Sequence, residues 1–551
     1  MCRVVLDRRP GDAQANYVRG LAQRATNRLD AAQASFDAAL TGGFSAPAVR
    51  LEMARLGVLR GDVAAAEAAY RAALVAQPEF APACRDLGSL LFEAGRFDEA
   101  AQFLGDAVRL APDDIAACLN HAQALYRGGR TDAAIAALDD AAARAPDRIE
   151  IPLMLATLHE LANAPEAAQR CAEAVLARQP GNPSATVILA KLAQRRDDAA
   201  GALARLDTLD PERLNEAQQV TWLAERGRAL DRLGRYGEAF AAFGTLGAVL
   251  ACLQDGLPAQ DMRARDARLT AIETGLAADD WRRLALADTP PAEAPRPVFV
   301  LGFMRSGTTL IERILGAHPQ IAPAGELSFI ADIADELAAT LPGGFPAGLR
   351  TLGDAAAHDL LAAQRRRYLD RVRALPGDAA TAPFVVDKAP FNAEHVGLIR
   401  LLFPHAPVFH AVRHPLDVVL SSHFTSFAEP QPWSYLLADA AALYARLHDH
   451  LAAMAALLPQ GAVPVRYETL VDTPEPEIRA LLGHVGVGWD AACLAFHERA
   501  RDVQTASYAQ VARPLYRSSV DRYWHYLPFI DAGVVESLRP ALDALGYDVT
   551  L

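Results

Sequence analysis

The sequence predicts two folds in one chain: an N-terminal all-α solenoid of helical repeats, then a C-terminal α/β domain of P-loop type with a parallel sheet. Three observations predict this. Prolines recur at 78, 112, 146 and 180, a step of 34 residues, which fits a repeating pair of antiparallel helices and their turns. Val298 to Leu301 is a continuous apolar run, followed by a glycine turn from Gly302 to Gly307 and a helical pattern with Leu310, Ile311, Ile314 and Leu315 on one face. Between the two, Thr289 to Pro297 holds four prolines, and 12 of the 14 histidines lie beyond it. These place a repeat array at 1–250, a helical connector and Pro-rich linker at 251–295, and the α/β domain at 296–551.

Within the array, Leu87-Gly88 fall in a first helix, Gly95 marks the turn, and Ala100, Leu104 and Ala107 line the second helix before Pro112. One period on come Ala134, Leu138 and Ala141; one period back, Ala66, Tyr70 and Ala73; another back, Ala32, Phe36 and Ala39. Ala168 and Ala172 continue the series. Small residues there let helices approach closely, and each pair buries its apolar face on the next. The register weakens after 180, and Gly234 to Ala239 with Phe243 reads as a last, capping pair. The pattern resembles tetratricopeptide repeats. That resemblance implies a concave surface for a peptide or protein partner.

Composition bounds the rest. With 52% hydrophobic and 22% charged residues the chain is globular, and a net charge of −13 argues against nucleic acid as a partner. The six cysteines are scattered without C-x2-C spacing, which suits a reducing compartment and gives no zinc signature. The N-terminal residues lack a long apolar segment and no 18 uninterrupted apolar residues occur, so the expectations are a cytoplasmic location and no membrane span.

The turn after the first strand is an anion cradle, because successive N–H groups and the helix dipole face one spot. Its spacing, Gly302-x4-Gly307-Thr308-Thr309, nearly matches the nucleotide P-loop. Thr308 stands where a triphosphate-binding loop has lysine, and the cation, Arg305, lies earlier in the turn. Such a loop suits a smaller anion.

Further chemistry sits at later strand ends, where parallel sheets place ligands. Glu326 follows the short segment Ile321 to Ala322 and can accept a proton from a hydroxyl. Lys388 ends the run Phe384 to Asp387 and can neutralise charge on a departing oxygen. Arg413 ends the strand Val408 to Val412, and Ser421 returns to nearly the same azimuth eight residues on, so the two could grip a second phosphate. His410-x3-His414 has a metal-like spacing but spans a strand end, so no metal is expected. Val463 to Glu468 reads as another strand; the polar stretch Thr505 to Tyr516 reads as a closing loop, with a helix from about Ser518.

Together these residues resemble the sulfotransferases, most closely the tyrosylprotein sulfotransferases and bacterial tetratricopeptide-fused sulfotransferases, over about 296–526. The resemblance implies 3′-phosphoadenylyl sulfate (PAPS) as donor and no metal. It assigns Arg305, Ser306, Gly307, Thr308 and Thr309 to the donor's 5′ side, and Arg413 and Ser421 to its 3′-phosphate. It places Tyr467 by the nucleotide, and Ser507, the stretch to Tyr516 and Arg522 on the donor. Glu326 takes the position of the catalytic base and Lys388 that of the lysine stabilising the transition state, with Arg305 and Ser507 beside them. The acceptor would carry a hydroxyl: a peptide tyrosine, a glycan or a small molecule. Leu327 and Ser328 follow the glutamate where the luminal enzymes have an arginine for acidic peptides, so tyrosine in an acidic protein fits poorly. Two other classes compete: an ATP-dependent kinase on the same architecture, and a non-catalytic repeat scaffold.

Overall fold

The computed structural model describes residues 2–254, 257–287, 295–427, 430–499 and 515–549. The chain divides into two compact units, Met1–Leu214 and Asn215–Leu551.

The first unit is a stack of antiparallel helix pairs. Their second helices begin at Leu29, Val63, Phe97, Thr131, Pro165 and Ala199, a constant step of 34 residues. The periodic prolines fall in the turns just after helices that end at Ala76, Leu110, Arg144 and Arg178. The small residues do what the pattern requires: Ala66, Ala100, Ala134 and Ala168 are all fully buried. Gly88 shows why, since a Cβ there would stand 2.6 Å from Leu104 on the facing helix.

The second unit is built on a parallel five-stranded sheet. The strands are β1 (Arg296–Gly302), β2 (Ile321–Pro323), β3 (Phe384–Lys388), β4 (Val408–Val412) and β5 (Val463–Arg466), in spatial order β2-β3-β1-β4-β5. Each link between consecutive strands carries a helix, as parallel pairing demands. One face, with Val298, Val300, Phe409 and Ala411, packs on Leu310, Ile311, Ile314 and Leu315 of the helix Thr308–Gly316. On the other, Phe299 meets Tyr368 and Phe403 at ring distances of 5.9 and 5.7 Å. The carboxyl ends of β1, β3 and β4 therefore open on a common edge.

The helices Glu216–Arg232 and Tyr236–Leu253, which the repeat register places in the array, belong to the second unit. Phe243 stacks on Phe424 at 4.2 Å and Tyr236 on His525 at 4.4 Å. These aromatic partners lie far along the chain, where a repeat period does not reach. The connector helix Leu257–Gly275 is also held there: Arg446 donates to Asp266 at 2.6 Å and to Glu273 at 2.7 Å. Tyr236–Leu253 is long and apolar enough to cross a membrane by length and composition, although Glu238 and Thr245 interrupt its apolar run. Its Ala239, Ala242, Phe243, Leu246 and Gly247 are buried in protein packing.

Candidate active site

The turn between β1 and its helix is backbone-driven. Gly302, Arg305 and Gly307 have φ of 148°, 69° and 106°, so three residues adopt the left-handed region within six positions. The Ser306 hydroxyl donates to the Phe303 carbonyl at 2.7 Å and closes the turn. A side chain at Gly307 would meet the Tyr467 ring at 2.8 Å, so glycine is required twice over, by φ and by space. Thr308 and Thr309, both buried, open the nine-residue helix.

Arg413, at the tip of β4, joins this turn directly. Its Nη1 donates to the Arg305 carbonyl at 3.1 Å, and its Nη2 to the Ser519 carbonyl at 2.5 Å and lies 3.6 Å from Asp417. Its guanidinium lies 5.1 Å from the centre of the Tyr467 ring. Arg413 is buried, and its Nε has no hydrogen-bond partner among the described residues. A buried N–H without an acceptor is costly, so this donor is free to serve an anion. Arg305 Nε donates to Ser421 Oγ at 3.1 Å. The two predicted anion sites thus adjoin. Burial, and then the charge of Arg413, push the Arg305 guanidinium down to about 10. Like charges held this close favour a negatively charged ligand between them.

On the other side of β1, Lys388 at the tip of β3 is fully buried and donates to Glu326 Oε1 at 2.5 Å. Sequence reasoning missed a third member, Glu312. Its Oε1 accepts from the Gly325 N–H at 2.9 Å, and its Oε2 lies 3.8 Å from Lys388 Nζ. Glu312 thereby ties the turn carrying Glu326 to the lysine. Burial raises its pKa, with Lys388 opposing. The signal was a charged residue amid the apolar face of Leu310, Ile311, Ile314 and Leu315.

Asp387 precedes Lys388 and is fully buried; it accepts from the Tyr368 hydroxyl at 2.8 Å and from Asn392 at 3.3 Å. Burial pushes its carboxyl up to about 7. A carboxyl raised in the fold costs stability as pH climbs from the ordinary range near 4 to about 7, because only the unfolded chain ionises freely there. The melting temperature of the wild type should therefore fall more between pH 5 and 7.5 than that of Asp387→Asn; parallel melting curves check this.

The remaining predicted residues divide. Tyr467 opens the helix Tyr467–Asp472 and lies against Gly307 and Arg413. Arg522 pairs with Asp231 of the helix Glu216–Arg232. Ser507 lies outside the described residues. No helix runs from Ser518: a turn leads through Asp521, at φ 55°, into two short 3-10 helices, Arg522–His525 and Leu527–Phe529. The two histidines do not converge. His410 lines a cavity with His448, and His414 stacks on Tyr523 at 3.9 Å.

Comparison with known proteins adds the family. The sulfotransferase family model matches residues 297–491, and tetratricopeptide repeat models match 4–47, 57–120 and 91–158. An uncharacterized protein of Aquifex aeolicus is 36% identical over 259 residues, 45% of this chain and 33% of that one, so the chain spans a third of that relative's length. Protein-tyrosine sulfotransferase 1 of Danio rerio is 26% identical over 261 residues, 46% of this chain and 72% of that one. The solved sulfotransferase domain of the Synechococcus PCC 7002 olefin synthase is 21% identical with a TM-score of 0.33, covering 48% of this chain and 99% of that one. The chain thus carries tetratricopeptide repeats in its N-terminal half and a sulfotransferase-family domain in its C-terminal half, with weak similarity to protein-tyrosine sulfotransferases.

Proposed function

We propose that the second unit transfers a sulfuryl group from PAPS to an acceptor hydroxyl, and that the repeats recruit the acceptor or a partner peptide. The observation that carries this reading is the junction of two cationic sites at neighbouring strand tips, where Arg413 donates to the Arg305 carbonyl at 3.1 Å. A nucleotide with one phosphate at its 3′ position and a phosphosulfate at its 5′ position needs two such sites side by side. The Arg413 Nε, without a partner among the described residues, and the glycine backbone against Tyr467 support the fit.

In this reading Arg305 and Ser306 to Thr309 hold the 5′ side, while Arg413 and Ser421 hold the 3′-phosphate. Glu326 takes the proton from the acceptor hydroxyl as its oxygen attacks sulfur. To do so it exchanges its hydrogen bond from Lys388 for one from the acceptor. The released ammonium then faces the charge growing on the leaving oxygen. Alignment and charge neutralisation supply most of what sulfuryl transfer requires. The acceptor class stays threefold, a peptide tyrosine, a glycan or a small molecule, with Leu327 and Ser328 disfavouring acidic peptides. Cytoplasmic work belongs to the same reading; the free cysteines Cys84, Cys118, Cys171, Cys252 and Cys493 support it.

The test is calorimetry with PAP, the desulfated donor, against ATP–magnesium. PAP should bind, and Arg413→Ala should weaken it by about 10- to 100-fold, the worth of lost charged hydrogen bonds. Binding of ATP–magnesium without PAP would favour a kinase instead. Transfer of labelled sulfate from PAPS in a lysate would then identify the acceptor.

A further inference from the structure

Arg522 is suspended between two elements. On one side Asp231, in the last turn of Glu216–Arg232, accepts from Arg522 Nη2 and from the Tyr526 hydroxyl. Tyr236 stacks on His525 at 4.4 Å with planes 8° apart, and Phe240 packs near Tyr526 and Phe529. On the other side Tyr523, the next residue, donates its N–H to Asp417 at 2.8 Å and stacks on His414 at 3.9 Å. His414 and Asp417 follow Arg413 at the tip of β4. The tail is thus bolted to the 3′ anion site at one residue and to the helical hairpin at its neighbours. After burial and Arg413, the charge of Arg522 adds a last, small push lowering the Arg305 guanidinium. Asp417 stands by one edge of Arg413 as Asp231 stands by one edge of Arg522. A guanidinium has five donors, so a carboxylate on one edge fixes its plane and leaves other N–H groups for a ligand.

We propose that Asp231 is a positioning residue for the sulfuryl donor: it holds Arg522 in place as the third cation of the site formed by Arg305 and Arg413. The hairpin Glu216–Leu253 then completes the donor site instead of ending the repeat arm. This rests on the sulfotransferase reading.

A double-mutant cycle on the full chain tests it, with PAP as the probe. Calorimetry is run on the wild type, Asp231→Ala, Arg522→Ala and the pair, with melting curves alongside. Asp231→Asn serves if the alanine variant does not fold, since it keeps the shape without the charge. Asp231→Ala should weaken PAP by about tenfold in the wild type and by less than about twofold in Arg522→Ala, the signature of action through the arginine. A lower melting temperature with unchanged affinity would overturn the proposal, leaving Asp231 a structural residue. Tighter binding would overturn it too, because Asp231 would then compete with the donor for Arg522. An equal loss in both backgrounds would also overturn it. Failure of the wild type to bind PAP would instead overturn the underlying sulfotransferase reading, and the proposal with it.

Discussion

Glu326→Ala should lower sulfuryl transfer by about 10²- to 10⁴-fold, the usual range for a lost general base, while PAP binds within about twofold of the wild type. The split follows from position. Glu326 stands after β2 and bonds to Lys388, on the opposite side of β1 from Arg413 and Ser421. Its side chain is 44% exposed, so the truncation opens no sealed cavity and the fold should survive. Labelled transfer and PAP calorimetry on one preparation measure both halves. Full turnover by the variant would remove Glu326 from the mechanism; lost PAP affinity would show that it belongs to the donor site.

Lys388→Ala should be the more damaging change, because it strikes stability and catalysis together. The lysine is fully buried between two carboxylates, 2.5 Å from Glu326 and 3.8 Å from Glu312. Removing it leaves Glu312 in the protein interior without its cation, and breaking a buried pair costs about 3–5 kcal/mol. The lower end applies, since Glu326 reaches solvent and Glu312 can protonate. That relief has a sign. Burial already raises the Glu312 pKa, and losing Lys388 raises it further. The deficit against the wild type should therefore shrink as pH falls and Glu312 becomes neutral. Melting curves of both proteins across pH check it. A deficit that does not change with pH would mean that lost packing, not the uncompensated charge, sets the cost.

The repeats were legible because each copy repeats its own signal: alanines every 34 residues report close helix contacts locally. The cradle was legible because strand, turn and helix are contiguous; the hydrogen bond from Arg305 to Ser421 was not, because it joins residues 116 positions apart. What escaped needed distant partners. Glu312 acts through Gly325 and Lys388, which a helical pattern does not reveal. The helices Glu216–Arg232 and Tyr236–Leu253 carry repeat-like spacing, yet Phe243 and Asp231 find their partners in Phe424 and Arg522. The helix expected from Ser518 gave way to turns because the chain there is pinned residue by residue, with the Tyr523 N–H on Asp417 and the Tyr526 hydroxyl on Asp231.

The allegiance of that hairpin decides where the chain can be cut. A fragment begun at the proline-rich stretch would strip the aromatic cover from Phe424 and Tyr526 and take the counter-charge from Arg522. One begun at Asn215 keeps all three. Separating the repeats from the sulfotransferase-family domain thus calls for scissors at Asn215, well upstream of the proline-rich seam.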